Sequence, residues 1–323
     1  MSSFEDKLSF WFSICGEKKE HKGEDSFLIC VEDEKAVFGA FDGSGGSGAR
    51  VYEAFGGHTG AYLASRIVTE TTFRWFHTGR DSGVKGPGIS DEDVRELERR
   101  ITSAFTAWRD PSGGRIRSNL VREYPTTLAA AAVYQGNDGI EADILWCGDS
   151  RCYLLTPEGL QQLTEDDLAG KDAFENLRED AAMLNVISAS KPFTIHRKHI
   201  SVPEKAFLFA ASDGCFGYLL SPMDFERLLL STLEGVRSFR EWKETLQEFW
   251  KENSGDDYTL TLSAMGFENF ASMQQAFSGR LAVLNREYPA RGADEEEELR
   301  QQWNRYRTFY EAYLVSEEVF LDE

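Results

Sequence analysis

Seven short runs of β-branched, aromatic and small apolar residues recur along the chain: FLICV, AVFGAF, TLAAAAVY, ADILWC, RCYLL, KAFLFAAS and YTLTLSAM. Gly, Asp, Asn and Pro bound them, so they read as strands. Within ADILWCGDSRCYLLTPEGLQQLT the links GDS and PEG are too short for a crossover helix. Two successive hairpins follow, and with them a largely antiparallel sheet. Between the strands, apolar residues fall three and four apart over 57–76, 91–108, 222–230 and 239–250. That is the period of amphipathic helices, and Asp91 is placed to cap the second. Clustered strands with helices outside them predict an α+β sandwich rather than an alternating βαβ wind.

After Gly266 the strand pattern stops. Phe270, Met273, Phe277, Leu281 and Leu284, then Leu299, Trp303, Tyr306, Tyr310 and Tyr313, recur at helical spacing. The intervening PARGADEEE reads as a turn followed by an acidic helix start. The chain thus divides into a body over residues 1–266 and an extension of two helices over 267–323. The aromatic stripes of the extension serve either to pack on the body or to dock a partner or a second copy of the chain.

Composition narrows the class. A chain of 323 residues with 41% hydrophobic and 28% charged positions can bury a full core. No apolar run approaches the roughly 20 residues that span a bilayer. The first residues carry acids where an export signal has a basic end, so a cytoplasmic location is expected. The net charge of -20, uninterrupted by a basic stripe, argues against nucleic acid and membrane surfaces as partners and suits cations. Cys15, Cys30, Cys147, Cys152 and Cys215 are an odd count without C-x-x-C spacing. They predict buried small hydrophobes rather than disulfides or a thiolate zinc site.

The stretch VFGAFDGSGGSGARV contains a G-x-G-x-x-G match at Gly43, Gly45 and Gly48. The short helix, second parallel strand and ribose-binding acid of a dinucleotide fold do not follow it. A Walker A sequence, a nucleophile elbow and a cysteine followed six residues later by arginine are likewise missing. The aspartates are more informative. Strand-like runs end at Asp42 and Asp213, Asp256 and Asp257 open YTLTLSAM, and Glu24 and Asp25 open the first strand. One such residue is an ordinary turn aspartate. Four such sites together suit a hard divalent cation, which takes oxygen ligands.

The segments VFGAFDGSGG, GGHTGAYLAS, YPTTLAAAAV, ILWCGDSRCYLL, LTEDD, FLFAASDG and SGDDYTLTL, in this order over about residues 16–266, resemble the metal-dependent serine/threonine protein phosphatases of type 2C (PPM), in the form bacterial members take. The resemblance implies two packed antiparallel sheets flanked by helices, a phosphorylated protein as substrate and a signalling role. It implies two Mn2+ or Mg2+ ions bridged by Asp42, with the Gly43 carbonyl, Asp213 and Asp256 as further ligands. Glu24 and Asp25 would support the site through water, and Asp257, where the family has asparagine, would add a carboxylate. A water shared by the two ions would then attack the phosphoserine or phosphothreonine phosphorus. Asp149 of GDSR matches a structural hairpin, and Thr126 and Thr127 match a buried strand start.

Departures from the family pattern define what to look for. Ser44 stands where many members have a proton-donating histidine, which leaves His58 of GGHTGAYLAS as the candidate catalytic histidine. The family's phosphate-gripping arginine falls near Glu20, which leaves Lys19 and Lys22 as candidate phosphate ligands. Gly217 stands where an aspartate of an additional metal position is found in many members. These changes keep a second reading open: a pseudophosphatase that binds metal or phosphoprotein without turnover.

Overall fold

The computed structural model describes residues 4–77, 88–108, 123–169, 172–178 and 181–314. Its strands are β1 (Leu8–Gly16), β2 (Ser26–Val31), β3 (Lys35–Phe41), β4 (Val51–Tyr52), β5 (His58–Thr59), β6 (Leu128–Gln135), β7 (Ile140–Cys147), β8 (Arg151–Thr156), β9 (Gly159–Gln162), β10 (His196–Val202), β11 (Ala206–Ala211) and β12 (Tyr258–Met265). Its helices are α1 (Phe4–Lys7), α2 (Gly45–Gly48), α3 (Gly60–His77), α4 (Asp91–Ala107), α5 (Pro222–Glu234), α6 (Phe239–Asn253), α7 (Phe270–Glu287) and α8 (Glu296–Tyr310).

Two five-stranded sheets, ordered β1-β12-β11-β8-β9 and β10-β7-β6-β3-β2, stack on one another, and β4-β5 forms a separate ribbon. Every pairing within the two large sheets is antiparallel, and the PEG link closes the β8–β9 hairpin as expected, but GDS closes none: β7 pairs with β6 and β10 while β8 pairs with β9 and β11, so this link crosses from one sheet to the other. Between the sheets lies a layer of mostly small residues: Ala36, Phe38 and Ala40 of β3, Ala129, Ala131 and Val133 of β6, Ala206, Leu208 and Ala210 of β11. The alternate residues face outward and are buried again. Leu128, Ala130 and Ala132 of β6 lie under α3 and α4, while Phe207 and Phe209 of β11 lie under α5 and α6. Burial of both faces is why these strands read as continuous apolar runs instead of strict alternations.

The stripes of α7 and α8 join this core. Met273, Phe277, Leu284, Leu299, Trp303, Tyr306 and Tyr310 belong to the same buried cluster as Phe207, Phe209 and Trp242. A buried polar contact accompanies them: Glu226 of α5, fully enclosed, accepts hydrogen bonds from Arg280 of α7 at 2.5 and 2.9 Å and from the Tyr306 hydroxyl of α8 at 2.6 Å.

Three further features differ from the sequence expectation. The first residue of α4 is Asp91, and its cap is Ser90, whose hydroxyl accepts the Asp93 amide while Asp93 returns the bond to the Ser90 amide at 2.8 Å. A reciprocal capping box satisfies two free amides where an Asp91 cap would satisfy one. Strands β1 and β10 also escape the pattern. β10, HRKHISV, is an edge strand that buries only Ile200 and Val202, so its other positions are polar. Finally, all five cysteines are free, but only Cys147, Cys152 and Cys215 are buried, while Cys15 is exposed and Cys30 half-buried.

Candidate metal centre

Antiparallel stacking brings the strand-end acids to one end of the sandwich. β3 of one sheet ends just before Asp42 and β7 two residues before Asp149, β11 of the other ends two residues before Asp213, and the segments entering β2 and β12 supply Glu24 with Asp25 and Asp256 with Asp257.

Asp42 is positioned through its backbone. Its amide donates to the Thr127 hydroxyl at 3.1 Å, and its carbonyl accepts the Thr126 hydroxyl at 2.7 Å and the Thr127 amide at 2.8 Å. The Thr127 and Ser150 hydroxyls meet at 2.6 Å, which links this strand start to the GDSR segment that crosses between the sheets. Gly43 follows because nothing larger fits: a Cβ there would lie 2.7 Å from the carbonyl oxygens of both Ala61 and Glu24. Gly214, after Asp213, is equally constrained, since a Cβ would collide with the Asp257 carbonyl.

Asp25 joins the two sheets. Its carboxyl, 4% exposed, accepts the Ser212 hydroxyl at 2.7 Å, and that hydroxyl accepts the Thr259 amide at 2.8 Å. The Asp42 and Asp213 carboxyls interact directly, and that interaction raises Asp42 and lowers Asp213. Burial holds the Asp42 pKa well above the ordinary carboxylate range, and the negative charges of Asp25, Asp213 and Asp149 add to it. Asp213 is raised by burial and then by Asp256. Asp25 and Asp149 are each pushed up to about 8, first by burial and then chiefly by the charge of Asp213. These directions share a physical cause: four carboxyls occupy a poorly hydrated space, and Arg151, paired with Asp166, offsets Asp149 and Asp213 only in part.

Asp149 is the member the sequence reading assigned elsewhere. Its Oδ1 is buried and has no hydrogen-bond partner among the described residues. The signal was present, since Asp149 follows an apolar strand just as Asp42 and Asp213 do. The hairpin match masked it. Tyr218 was also missed; it is exposed and lies against Gly255, next to Asp256, at the mouth of the site.

The remaining expected site residues take varied places. Asp256 is exposed, its amide held by Ser254 Oγ at 3.2 Å. Asp257 accepts the Lys18 amide on one oxygen and the Glu24 amide on the other, each at 2.7 Å, so it anchors the segment before β2. Glu24 accepts the Thr59 hydroxyl, and its pKa is raised by burial and by Asp257 and Asp256. Arg66 of α3 donates to the carbonyls of Gly23 at 3.1 Å and Glu24 at 2.8 Å and lies over Tyr62. His58 lies flat on Tyr62, with ring centroids 3.8 Å apart and planes 7° from parallel, and makes no hydrogen bond to the carboxylates. Lys19 and Lys22 are exposed at a tight turn, the Lys22 amide donating to the Lys19 carbonyl at 3.0 Å. Lys18, beside them, extends its ammonium to the Ser254 carbonyl.

No family model and no curated protein matches the sequence. Among solved structures the chain is similar to the serine/threonine phosphatase Stp1 from Staphylococcus aureus, with a TM-score of 0.56 and 19% identity over 79% of this chain and 94% of that one. It is similar to the Mycobacterium tuberculosis serine/threonine phosphatase PstP/Ppp, with a TM-score of 0.55 and 15% identity over 80% of this chain and 99% of that one. It is also similar to a C. elegans sex determining protein, with a TM-score of 0.59 and 15% identity over 83% of this chain and 67% of that one. At such identities the likeness is one of fold.

Proposed function

We propose that this chain, which has the fold of the type 2C serine/threonine phosphatases, is a metal-dependent phosphatase of phosphoserine and phosphothreonine in proteins. The observation that carries the reading is the group of Asp25, Asp42, Asp149 and Asp213 at one end of the sandwich, with a buried Asp149 oxygen that no protein donor satisfies. An unpartnered buried oxygen costs free energy unless a cation or donor meets it. An all-oxygen donor set fits Mg2+ or Mn2+. Among the described residues no three of these acids offer oxygens all within 4.8 Å of one another, so their side chains would turn inward to hold an ion.

Asp42, between the acids of both sheets, would hold the metal together with Asp213, Asp256, Asp149 and the Gly43 carbonyl, and Glu24 and Asp25 would support it through water. What the ions supply, when bound, is neutralisation of phosphoryl charge and a water acidic enough to ionise near neutral pH. The chain's own contribution is placement. Thr126, Thr127 and Ser150 hold the Asp42 strand end, Ser212 holds Asp25, and Asp257 with Arg66 holds the segment carrying Glu24. Lys19 and Lys22, exposed at their turn, would meet a phosphoryl group as point charges. His58, stacked on Tyr62, would act through the start of α3 rather than as a proton donor.

The test is hydrolysis of p-nitrophenyl phosphate and of a phosphothreonine peptide with Mn2+. Wild type should be active, chelator should abolish activity, and Asp42→Asn should lower kcat by about 100-fold or more while its circular dichroism stays native. Equal activity of wild type and Asp42→Asn would remove the site. One observation favours the second reading: Arg66 and Lys18 are committed to backbone carbonyls, and Arg151, two residues from Asp149, is committed to Asp166. Well-folded wild type that binds Mn2+ and hydrolyses neither substrate would make the chain a pseudophosphatase.

A further inference from the structure

The opposite end of β2 carries a second constellation with different chemistry. β2 and α3 run alongside each other, joined by the Thr69 and Ser26 hydroxyls at 3.0 Å. On the strand, Ser26, Leu28, Cys30 and Glu32 share the face toward the helix. On the helix, Thr69, Phe73 and His77 recur every fourth residue and share one row. Where the two rows end, Cys30 Sγ, Glu32 Oε1 and His77 Nδ1 all lie within 4.8 Å of one another. His77 Nδ1 is 2.9 Å from Glu32 Oε1, and Cys30 Sγ is 3.9 Å from the same oxygen. Among the described residues this is the one group of three metal-ligating side chains so closely gathered. From Asp25 to Glu32 the strand spans about 23 Å, so the group is separate from the carboxylate centre.

We propose that Cys30, Glu32 and His77 form a zinc-type site, with three protein ligands and a fourth position open to water. The donor set is one thiolate, one imidazole and one carboxylate, which selects a borderline-soft ion and disfavours Mg2+ and Mn2+. At ordinary zinc–ligand lengths, donors of a tetrahedral site stand about 3.3–3.6 Å apart. The present spacings lie either side of that, and side-chain rotation at three partly exposed residues closes the difference.

The surroundings agree. The His77 ring stacks on Phe73 with planes 8° apart, which sets its direction. His77 ends α3, where the helix dipole favours a cation. Glu32 opens the β2–β3 turn, its amide bonded to the Lys35 carbonyl at 2.9 Å, so its backbone is fixed. Binding would release the Cys30 proton to solvent and leave the ion pair of Glu32 with Lys35, now 3.9 Å, on the other carboxylate oxygen. The bound ion would tie the end of α3 to the β2–β3 hairpin.

Titration of the full chain with Co2+ tests the site, because cobalt reports thiolate ligation in its absorption. One equivalent should produce a thiolate-to-cobalt charge-transfer band with tetrahedral visible bands, reversed by Zn2+. The band should persist in Asp42→Asn and in Cys15→Ser, which carry the carboxylate centre and the one exposed thiol. It should vanish in Cys30→Ser and require at least about tenfold more cobalt in His77→Gln. His77 is exposed, so that variant keeps the fold and serves if Cys30→Ser does not. A folded wild type without the band overturns the proposal. So does a band that survives Cys30→Ser or disappears in Cys15→Ser.

Discussion

At the scale of single residues, the acids divide between those with free oxygens and those already engaged. Asp257 has both oxygens on backbone amides and acts as an anchor, although its place in SGDD reads as one more ligand. Asp149 is the converse: a hairpin aspartate by its motif, with a buried oxygen that lacks a partner. The neighbouring residues of this crossover depend on a titratable pair. Asp167 accepts the Gly148 amide at 2.9 Å and sits 2.9 Å from His196 Nε2. That hydrogen bond to Asp167 raises the His196 pKa, with smaller help from Glu165 and Glu98 and against its own burial. A histidine raised on folding contributes stability that is full below its unfolded value of about 6.5 and is lost as pH rises through the folded value. We expect Asp167→Asn to bring the His196 imidazole pKa down and to flatten the loss of stability above about pH 6.5. NMR titration of the ring with denaturant unfolding at several pH values checks both, and an unchanged pKa in the variant would sink the account.

At the scale of elements, the helices packed on the outer face of the β11 sheet are locked by a few buried groups. Glu226 of α5 meets Arg280 of α7 and Tyr306 of α8 inside the protein, so three helices converge on one carboxylate. Replacing it leaves the Arg280 charge largely enclosed without a partner. Glu226→Ala should therefore cost about 3–5 kcal/mol in urea unfolding, the range for breaking a buried pair. A loss below about 1 kcal/mol would mean that water reaches Arg280 and that the contact is peripheral. These helices were legible because their apolar spacing is local. β10 was not, because an edge strand needs few apolar positions and its place is set by pairing with β7. The Ser90 cap of α4 was missed for a similar reason: Ser90 and Asp91 both suit the position, and only hydrogen-bond geometry separates them.

At the scale of the whole molecule, residues 267–314 share a hydrophobic cluster with the body, including Phe277 on Phe207 with centroids 4.6 Å apart. A chain ending at Gly266 would expose that face of α5 and of the β11 sheet. We expect it to be insoluble or to unfold without cooperativity, as judged by the soluble fraction and by circular dichroism on heating. A soluble, cooperatively unfolding 1–266 fragment would show the extension to be a separable appendage. The sequence by itself determined the layers and the acids. Alternation and helical period are local consequences of backbone geometry, and Asp-Gly at a strand end needs no distant information. Only the tertiary structure decided which of these residues meet. Asp25 reaches Ser212 across 187 positions, Asp149 turns out to stand among the carboxylates, and Cys30 finds His77 on a packed helix. Those meetings depend on strand order and sheet stacking, which long-range burial sets and no local pattern encodes.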